Sequence, residues 1–216
     1  MNFVDEKIMK YCSEHSTEQQ KVLQEIERQT YLKQINPRML SGHLQGDFLK
    51  MITKLHKPEK ILEIGTFTGY SAICIALALE KKSEFYTIEI DDELEDTIIA
   101  NFEKANVSDI IKLIMGNAVE IISKKFKENK FDMVFIDADK ENYPIYFNLL
   151  KNKINNGGLI IADNVLWSGK VLDENEIKND IFTKAIHNFN EMLKNDKSFE
   201  TVILPIRDGI SLSIKK

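Results

Sequence analysis

The chain has 216 residues and a formal net charge of −5, with 43% hydrophobic and 29% charged residues. This length supports one well-buried core and is short for two generous domains, so we expect a single domain over 1–216, with a helical extension at 1–56 and an α/β core at 57–216. The composition is typical of a soluble globular protein, and the acidic balance disfavours a broad electrostatic grip on nucleic acid.

The sequence contains neither a membrane-span pattern nor a secretory-signal pattern. No apolar run approaches the ~20 residues of a transmembrane helix. The opening residues 1–7 lack the basic start and apolar middle of a signal peptide. We therefore expect a cytoplasmic protein that does not contact a membrane.

The first part of the chain has the periodicity of helices. Apolar residues recur at helical spacing in 5–14 and in 17–35, and the second segment begins at the capping signal Ser-Thr-Glu-Gln of 16–19. The dipeptide Asn-Pro at 36–37 ends this helix. A third helix is predicted over 40–55.

From residue 60 onward, strand and helix patterns alternate, which predicts a parallel sheet with helices on both faces. The tail departs from this alternation, because two apolar runs at 200–206 and 209–214 are separated only by a short turn and must be antiparallel if they are strands. The other predicted strands are 60–64, 84–89, 110–115, 131–136 and 158–162, and the predicted helices are 71–82, 92–105, 117–129, 141–152 and 176–195.

The most informative segment is 61–71, Ile-Leu-Glu-Ile-Gly-Thr-Phe-Thr-Gly-Tyr-Ser, where a buried strand breaks into a glycine-bracketed turn and then opens a helix. Gly65 and Gly69 allow the backbone to turn tightly and to approach a ligand closely. In open parallel sheets, ligands bind beyond the carboxyl ends of the strands. The turn lacks the second glycine of the dinucleotide fingerprint, so a nucleoside-containing cofactor without a diphosphate fits better.

Two carboxylates near this turn each have two possible roles. Glu89 ends the second predicted strand, where it can accept both hydroxyls of a ribose. Its alternative is a solvated acid that precedes the capping pair Asp91 and Asp92. Glu63 lies inside the turn motif, where it either contacts the cofactor or holds the turn through hydrogen bonds.

Two later strands also end in side-chain oxygens. Asp137 follows the strand 131–136, and Asp163 and Asn164 follow the strand 158–162. These strands are predicted neighbours in the sheet, so the three side chains can converge. Three oxygen donors without a nearby cysteine or histidine suit Mg²⁺, or alternatively Mn²⁺ or Ca²⁺, and disfavour structural zinc.

Three segments together resemble the signatures of the caffeoyl-CoA and catechol O-methyltransferase family, cation-dependent enzymes that use S-adenosylmethionine (SAM). They are the glycine turn at 61–71, Phe-Ile-Asp-Ala-Asp-Lys-Glu-Asn-Tyr at 135–143 and Ala-Asp-Asn-Val-Leu-Trp-Ser-Gly at 162–169. The resemblance covers nearly the whole chain. It implies a Rossmann-like class I methyltransferase fold, with a seven-stranded, mostly parallel sheet whose last strand is antiparallel, and it implies a homodimer.

The same resemblance implies roles for individual residues. Lys140 is the catalytic residue that takes a hydroxyl proton, and nearby metal and sulfonium charges are expected to lower its pKa. Asp137, Asp163 and Asn164 bind the cation, and Asp137 also borders the cofactor. The other implied cofactor-binding residues are Met39, Ser41, Glu63, Gly65, Phe67, Ser71, Glu89 and Ala118.

The implied reaction is cation-dependent transfer of a methyl group from SAM to a hydroxyl of a small catechol-like acceptor, or of another acceptor with vicinal oxygens. As an alternative, some bacterial relatives methylate 5-hydroxyuridine in transfer RNA, which a basic patch around Lys10, Lys21 and Lys33 would favour. A non-catalytic cofactor-binding module and a nucleotide-dependent dehydrogenase are the remaining alternatives. Trp167 and Tyr143 either line an aromatic acceptor pocket or pack in the core, and the four histidines show no pairing that predicts a metal site or a triad.

Overall fold

The computed structural model describes residues 5–80 and 82–216. The described chain divides into two compact units, Asp5–Gly116 and Asn117–Lys216. Within it, no helix combines the length and the apolar character needed to cross a membrane. The predicted division into an extension and a core at residue 56 stays a prediction.

The sheet agrees with the prediction. In the described chain, the strands are β1 (Lys60–Ile64), β2 (Glu84–Glu89), β3 (Ile111–Met115), β4 (Phe131–Ile136), β5 (Ile154–Asp163), β6 (Phe199–Leu204) and β7 (Ile210–Lys215). They lie in the order β3-β2-β1-β4-β5-β7-β6. Strand β1 is parallel to β2, β2 is parallel to β3 and β4 is parallel to β5, whereas β7 is antiparallel to both β5 and β6. This confirms the mostly parallel, seven-stranded sheet.

Helices surround the strands, and the limits of the predicted helices differ from the observed ones. The largest differences are in the predicted helix 71–82, which ends at Ala76, and in the predicted helix 117–129, which ends at Lys124. The helices are α1 (Glu6–Glu14), α2 (Lys21–Lys33), α3 (Gly42–His56), α4 (Tyr70–Ala76), α5 (Glu95–Lys104), α6 (Ala118–Lys124), α7 (Tyr143–Leu150), α8 (Glu174–Asn179) and α9 (Ile181–Asn195). The predicted helix 176–195 is split, because Asp180 accepts a hydrogen bond from the backbone N–H of Thr183 and thereby caps α9.

The predicted start of α2 at residue 17 is wrong. The helix begins at Lys21, and Gln20 makes no side-chain capping bond. The side chain of Gln19 instead donates to Tyr70 at 2.5 Å and to Glu27 at 3.1 Å. Tertiary hydrogen bonds therefore replace the local capping interaction that the sequence indicates. Residues 1–4 of the predicted extension and residue 81 of the predicted helix 71–82 lie outside the described residues.

Each unit has its own apolar core. In Asp5–Gly116, apolar residues of β1 and β2 such as Ile61, Leu62 and Phe85 are fully buried, as expected for strands that are covered on both faces. In Asn117–Lys216, β4 is fully buried from Met133 onward, and the ring of Phe189 on α9 packs edge-on against rings of α7. The buried strands fix the loops at their carboxyl ends.

Candidate active site

The predicted site residues fall into two groups, one in each compact unit. The predicted residues up to Glu89 lie in Asp5–Gly116, and those from Ala118 onward lie in Asn117–Lys216. In the first group a strand-end carboxylate, Glu89, organises the glycine turn. In the second group, strand-end carboxylates surround a lysine.

The turn after β1 contains three residues in the left-handed region. Gly65 has φ 94°, Phe67 has φ 51° and Gly69 has φ 84°. Glycine adopts such angles without strain, whereas for Phe67 they cost about 1–2 kcal/mol. A Cβ atom at Gly69 would lie 2.7 Å from Cε1 of Phe102 on α5. The turn therefore needs glycine at 69 for steric reasons as well as conformational ones.

The carboxylate of Glu89 holds this turn in place. Its Oε2 accepts hydrogen bonds from the backbone N–H groups of Thr66 (3.1 Å) and Phe67 (2.7 Å), and its Oε1 accepts from those of Ile90 (2.8 Å) and Asp91 (2.9 Å). These four donors match the roughly four lone-pair sites of a carboxylate. Because Glu89 is only 7% exposed, it is not a solvated acid. Its contact with a ribose stays a prediction.

Glu63 lies beneath the turn and is fully buried. Its Oε1 accepts a hydrogen bond from the Ser71 hydroxyl at 2.7 Å, and its Oε2 accepts one from the Thr87 hydroxyl at 2.5 Å. The Thr87 hydroxyl also lies 2.6 Å from that of Thr66 in the turn. This network ties the first turn of α4 to β1 and β2, so the structure favours the turn-holding role of Glu63. Ser71, a predicted cofactor residue, belongs to the same network.

Replacing Glu63 by Ala is expected to lower the free energy of unfolding by about 2–5 kcal/mol, because two buried hydroxyl groups lose their acceptor. Urea unfolding of the purified chain measures this loss. Glu63→Gln keeps the shape and one acceptor oxygen, and we expect it to retain most of the stability. A Glu63→Gln variant with unchanged stability but strongly reduced SAM affinity would contradict the turn-holding role.

The remaining predicted cofactor residues differ in exposure. Met39 ends a short 3-10 helix and is 59% exposed, whereas Ser41, immediately before α3, is 5% exposed. Ala118 is the first residue of α6 and is buried behind Asn117, whose side chain accepts a hydrogen bond from the backbone N–H of Glu120 at 3.2 Å. Their contacts with a cofactor stay predictions.

In the second group, Asp137 and Asp163 lie at neighbouring strand ends. They follow Ile136 and Ala162 directly, and these two residues are partners in the β4–β5 ladder. Asp163 is 2% exposed, and its Oδ1 accepts a hydrogen bond from the backbone N–H of Asn164 at 2.7 Å. Asn164 has φ 58°, in the left-handed region that asparagine tolerates. The structure thus places Asp137 and Asp163 at adjacent strand ends of this unit, with Asn164 next to Asp163 in the chain.

Lys140 extends its amine toward these carboxylates from a short 3-10 helix. Its Nζ donates to Oδ1 of Asp137 at 3.0 Å and to the hydroxyl of Tyr143 at 2.9 Å, and the side chain is 11% exposed. Burial alone lowers the pKa of Lys140, but Tyr143 and Asp137 raise it, and the resulting pKa lies above the usual range. The lowering expected from the sequence depends on the charges of a bound cation and of the SAM sulfonium, so it stays a prediction.

Tyr143 is fully buried and does not line an acceptor pocket. Its hydroxyl accepts the hydrogen bond from Lys140 and lies within donating distance of the backbone carbonyls of Asp163 (3.0 Å) and Ile136 (3.3 Å). Its ring packs edge-on against Phe189, with 5.2 Å between the centroids. The packing alternative is therefore correct for Tyr143. No sequence pattern indicates that its hydroxyl connects Lys140 to the end of β5.

A second arrangement of polar side chains, which was not predicted, lies in Asp5–Gly116. Nδ1 of His43 lies 3.0 Å from the Ser13 hydroxyl, and its Nε2 lies 3.0 Å from Oδ2 of Asp47 and 2.9 Å from the carbonyl of Thr17. The spacing of four residues between His43 and Asp47 on α3 is the signal that could have predicted part of it. This arrangement connects α1 to α3.

The donor set in Asn117–Lys216 fits a hard divalent cation. It offers two carboxylates and one amide oxygen, which are ligands that Mg²⁺, Mn²⁺ and Ca²⁺ accept. Across residues 5–80 and 82–216, no cluster of three or more His, Cys, Asp or Glu side chains is arranged to hold a metal ion. The predicted set of Asp137, Asp163 and Asn164 contains only two residues of these types, so the absence of such a cluster does not test it.

Comparison with known proteins gives the family. A family model described as O-methyltransferase matches residues 13–216. A catechol O-methyltransferase from Niastella koreensis is 36% identical over 179 residues, which cover 80% of each chain. Caffeoyl-CoA O-methyltransferase 1 from Eucalyptus globulus is 35% identical over 175 residues, which cover 78% of this chain and 71% of that one.

Solved structures show the same fold. The O-methyltransferase from Bacillus cereus, in complex with SAH, matches with a TM-score of 0.90 and 28% identity over 97% of both chains. The O-methyltransferase TomG from Streptomyces achromogenes, in complex with SAM, matches with a TM-score of 0.88 and 26% identity over 97% of this chain and 96% of that one.

The protein is a methyltransferase by fold and by sequence. It belongs to the O-methyltransferase family, and it is an enzyme that transfers a methyl group to oxygen. The non-catalytic module and the nucleotide-dependent dehydrogenase are therefore set aside.

Proposed function

We propose that this enzyme transfers a methyl group from SAM to a hydroxyl of a catechol-like acceptor, or of another acceptor with vicinal oxygens, and that it requires a divalent cation. The observation that carries the proposal is the meeting of Asp137, Asp163 and Lys140 at the paired ends of β4 and β5. The two carboxylates are suitable ligands for a cation, and the nearly buried amine is a group that can accept or donate a proton.

The glycine turn supports SAM as the methyl donor. SAM supplies a methyl group activated by its sulfonium, and two structures similar to this chain contain SAH or SAM. Glu89 keeps the turn in a fixed conformation before any ligand arrives, which reduces the entropy cost of binding. We propose that the cofactor is held by Met39, Ser41, Gly65, Phe67, Ser71, Glu89, Ala118 and Asp137, with Glu63 supporting the turn.

The cation is proposed to be held by Asp137, Asp163 and Asn164. A divalent cation, Mg²⁺ in the first instance and otherwise Mn²⁺ or Ca²⁺, lowers the pKa of an acceptor hydroxyl and fixes its orientation. The hydrogen bond from the backbone of Asn164 fixes one carboxylate oxygen of Asp163, and Lys140 fixes one oxygen of Asp137. These contacts orient both carboxylates.

Lys140 is proposed to accept the proton of the acceptor hydroxyl. Its amine is held by Asp137 and Tyr143, so it has a defined position at the strand ends. The same neighbours favour its charged form, in which it would stabilise a negatively charged acceptor oxygen instead of accepting a proton. Substitutions that keep the charge separate these two roles, as described in the Discussion.

The relatives support a small phenolic acceptor, because they are named catechol and caffeoyl-CoA O-methyltransferases. A methyl-transfer screen over catechols, hydroxycinnamoyl thioesters and hydroxylated transfer RNA tests this directly. We expect transfer to a catechol or to a thioester of a dihydroxycinnamate. Transfer to the transfer RNA alone would overturn the proposed acceptor class.

Exhaustive treatment with EDTA is expected to abolish methyl transfer, and added Mg²⁺ is expected to restore it, because the acceptor oxygens lose the ion that orients them. Methyl transfer from labelled SAM measures the loss. Calorimetric titration with SAM in the same buffer is the control, since the chelator should leave cofactor binding intact. Full activity after removal of all divalent ions would contradict the cation requirement.

We also propose that the enzyme is a homodimer, in which the exposed apolar side chains of residues 31–39 are covered. Tyr31, Leu32, Ile35 and Met39 are all more than half exposed, and Ile35 is 94% exposed. Contiguous exposed apolar side chains commonly mark protein interfaces. Sedimentation equilibrium should give the mass of two chains, and Ile35→Asp should shift it toward one. A monomeric unsubstituted enzyme at micromolar concentration would contradict this proposal.

A further inference from the structure

The loop that follows β5 has an unusual backbone. Asn164, Trp167 and Ser168 all have positive φ angles, of 58°, 47° and 53°. For a bulky residue such as Trp167 this conformation is a genuine outlier, and such residues persist only where the surrounding structure imposes them. Contacts within Asn117–Lys216 must therefore hold this loop.

The holding contacts come from the turn between β6 and β7. The backbone N–H of Leu166 donates to the carbonyl of Asp208 at 2.9 Å, and that of Val165 donates to the carbonyl of Gly209 at 3.1 Å. The backbone N–H of Ser168 donates to Oδ1 of Asp208 at 2.5 Å. Three of the four N–H groups of residues 165–168 thus bond to two consecutive residues of one turn.

The same turn also fixes the loop sterically. A Cβ atom on Gly209 would lie 2.4 Å from Cγ of Leu166 and 2.9 Å from its backbone nitrogen, so the two segments are in close contact. Gly209 has φ 88°, and Arg207 has φ 51°. Both segments therefore adopt left-handed conformations where they meet, which couples the shape of one to the shape of the other.

We propose that Asp208 is a positioning residue, which holds the loop 164–168 in the conformation that directs Asn164 toward the cation and Trp167 toward the acceptor. This inference rests on the proposed function, because that function assigns Asn164 to the cation. The carboxylate of Asp208 acts through the backbone of Ser168 and needs no contact with the cation, the cofactor or the acceptor.

The chain has a single tryptophan, so the fluorescence of Trp167 reports on this loop alone. In Asp208→Ala, we expect acrylamide to quench Trp167 more efficiently than in the unsubstituted chain, because the N–H of the neighbouring Ser168 loses its side-chain acceptor while the two backbone hydrogen bonds of Val165 and Leu166 remain. Asp208→Asn keeps an oxygen acceptor for the Ser168 N–H, so its quenching should stay near the unsubstituted value. Circular dichroism and urea unfolding show whether each variant is folded.

Binding of Mn²⁺ to the chain without SAM, followed by electron paramagnetic resonance, provides the second measurement. We expect Asp208→Ala to weaken Mn²⁺ binding about tenfold. A tenfold change corresponds to about 1.4 kcal/mol, which is comparable to the loss of one hydrogen bond to a charged group. Asp196→Ala is the matched control. Asp196 accepts hydrogen bonds from Ser198 in a similar turn, away from this loop, so its loss should not affect Mn²⁺ binding.

Steady-state kinetics complete the test. Asp208→Ala is expected to raise the KM of the acceptor while leaving the dissociation constant of SAM unchanged, a split that general destabilisation would not produce. Unchanged quenching and unchanged Mn²⁺ affinity in Asp208→Ala would overturn the inference. If the unsubstituted chain fails to bind Mn²⁺, the proposed cation site is wrong, and the quenching measurement still shows whether Asp208 holds the loop.

Discussion

Lys140→Met is expected to lower kcat by about 10²–10⁴-fold, the range for loss of a group that transfers a proton. Methionine keeps most of the volume of the side chain and removes its amine, which in the structure bonds to Asp137 and Tyr143. Methyl transfer to a catechol at saturating SAM measures the change. Calorimetry should give an unchanged dissociation constant for SAM, because the glycine turn does not involve Lys140.

Two control variants make the test of Lys140 specific. Lys140→Arg keeps a positive charge but cannot release a proton at accessible pH, so a base role predicts that arginine does not restore turnover. Restored turnover would show that charge alone matters. Lys124→Met makes the same substitution at a lysine that is 77% exposed and paired with Glu120, and it should leave kcat unchanged. Unchanged kcat in Lys140→Met would remove Lys140 from the mechanism.

Asp163→Asn is expected to weaken Mn²⁺ binding by more than about 100-fold. Loss of a group that only hydrogen-bonds to a metal ligand already weakens binding by up to about 100-fold, so loss of a charged ligand should have a larger effect. The substitution keeps the shape of a side chain that is 2% exposed and removes its charge. Turnover should fall in parallel. Mn²⁺ titration of the chain without SAM measures the affinity independently of activity.

Asp139→Asn is the matched control for Asp163. Asp139 also follows a strand of the same unit, but its carboxylate accepts hydrogen bonds from Tyr146 at 2.5 Å and from Asn142. It is not among the proposed ligands, so its substitution should leave Mn²⁺ affinity nearly unchanged. Equal losses in the two variants would mean that the site senses negative charge in general rather than a bound ion.

Much of the sheet could be predicted because strand signals are local. The limits of β1, β2 and β4 match the sequence-based prediction to the residue, since each contains buried apolar residues and has clear ends. Strand β5 begins earlier than predicted, at Ile154, because Ile154 pairs with Phe131 across an irregular register. The position of β7 between β5 and β6 depends on pairing between distant segments, which no local pattern records.

The candidate site could likewise be predicted only in part from local sequence signals. The pair of carboxylates at the ends of β4 and β5 could be predicted, because parallel strands end at one edge. The four backbone donors of Glu89 could not, since hydrogen bonds to backbone groups leave no signature in residue types. The burial of Tyr143 and the resulting direction of the Lys140 pKa also depend on tertiary packing.

The position of β7 has a consequence for protein synthesis. Among the described residues, strand β6 pairs with β7 alone, and β5 has β7 on one side. Until residues 210–215 have emerged from the ribosome, β5 keeps an unpaired edge and β6 has no strand beside it. Open edges of this kind invite aggregation of nascent chains. A premature stop codon just before residue 210 would therefore yield a product that depends on chaperones and is prone to degradation.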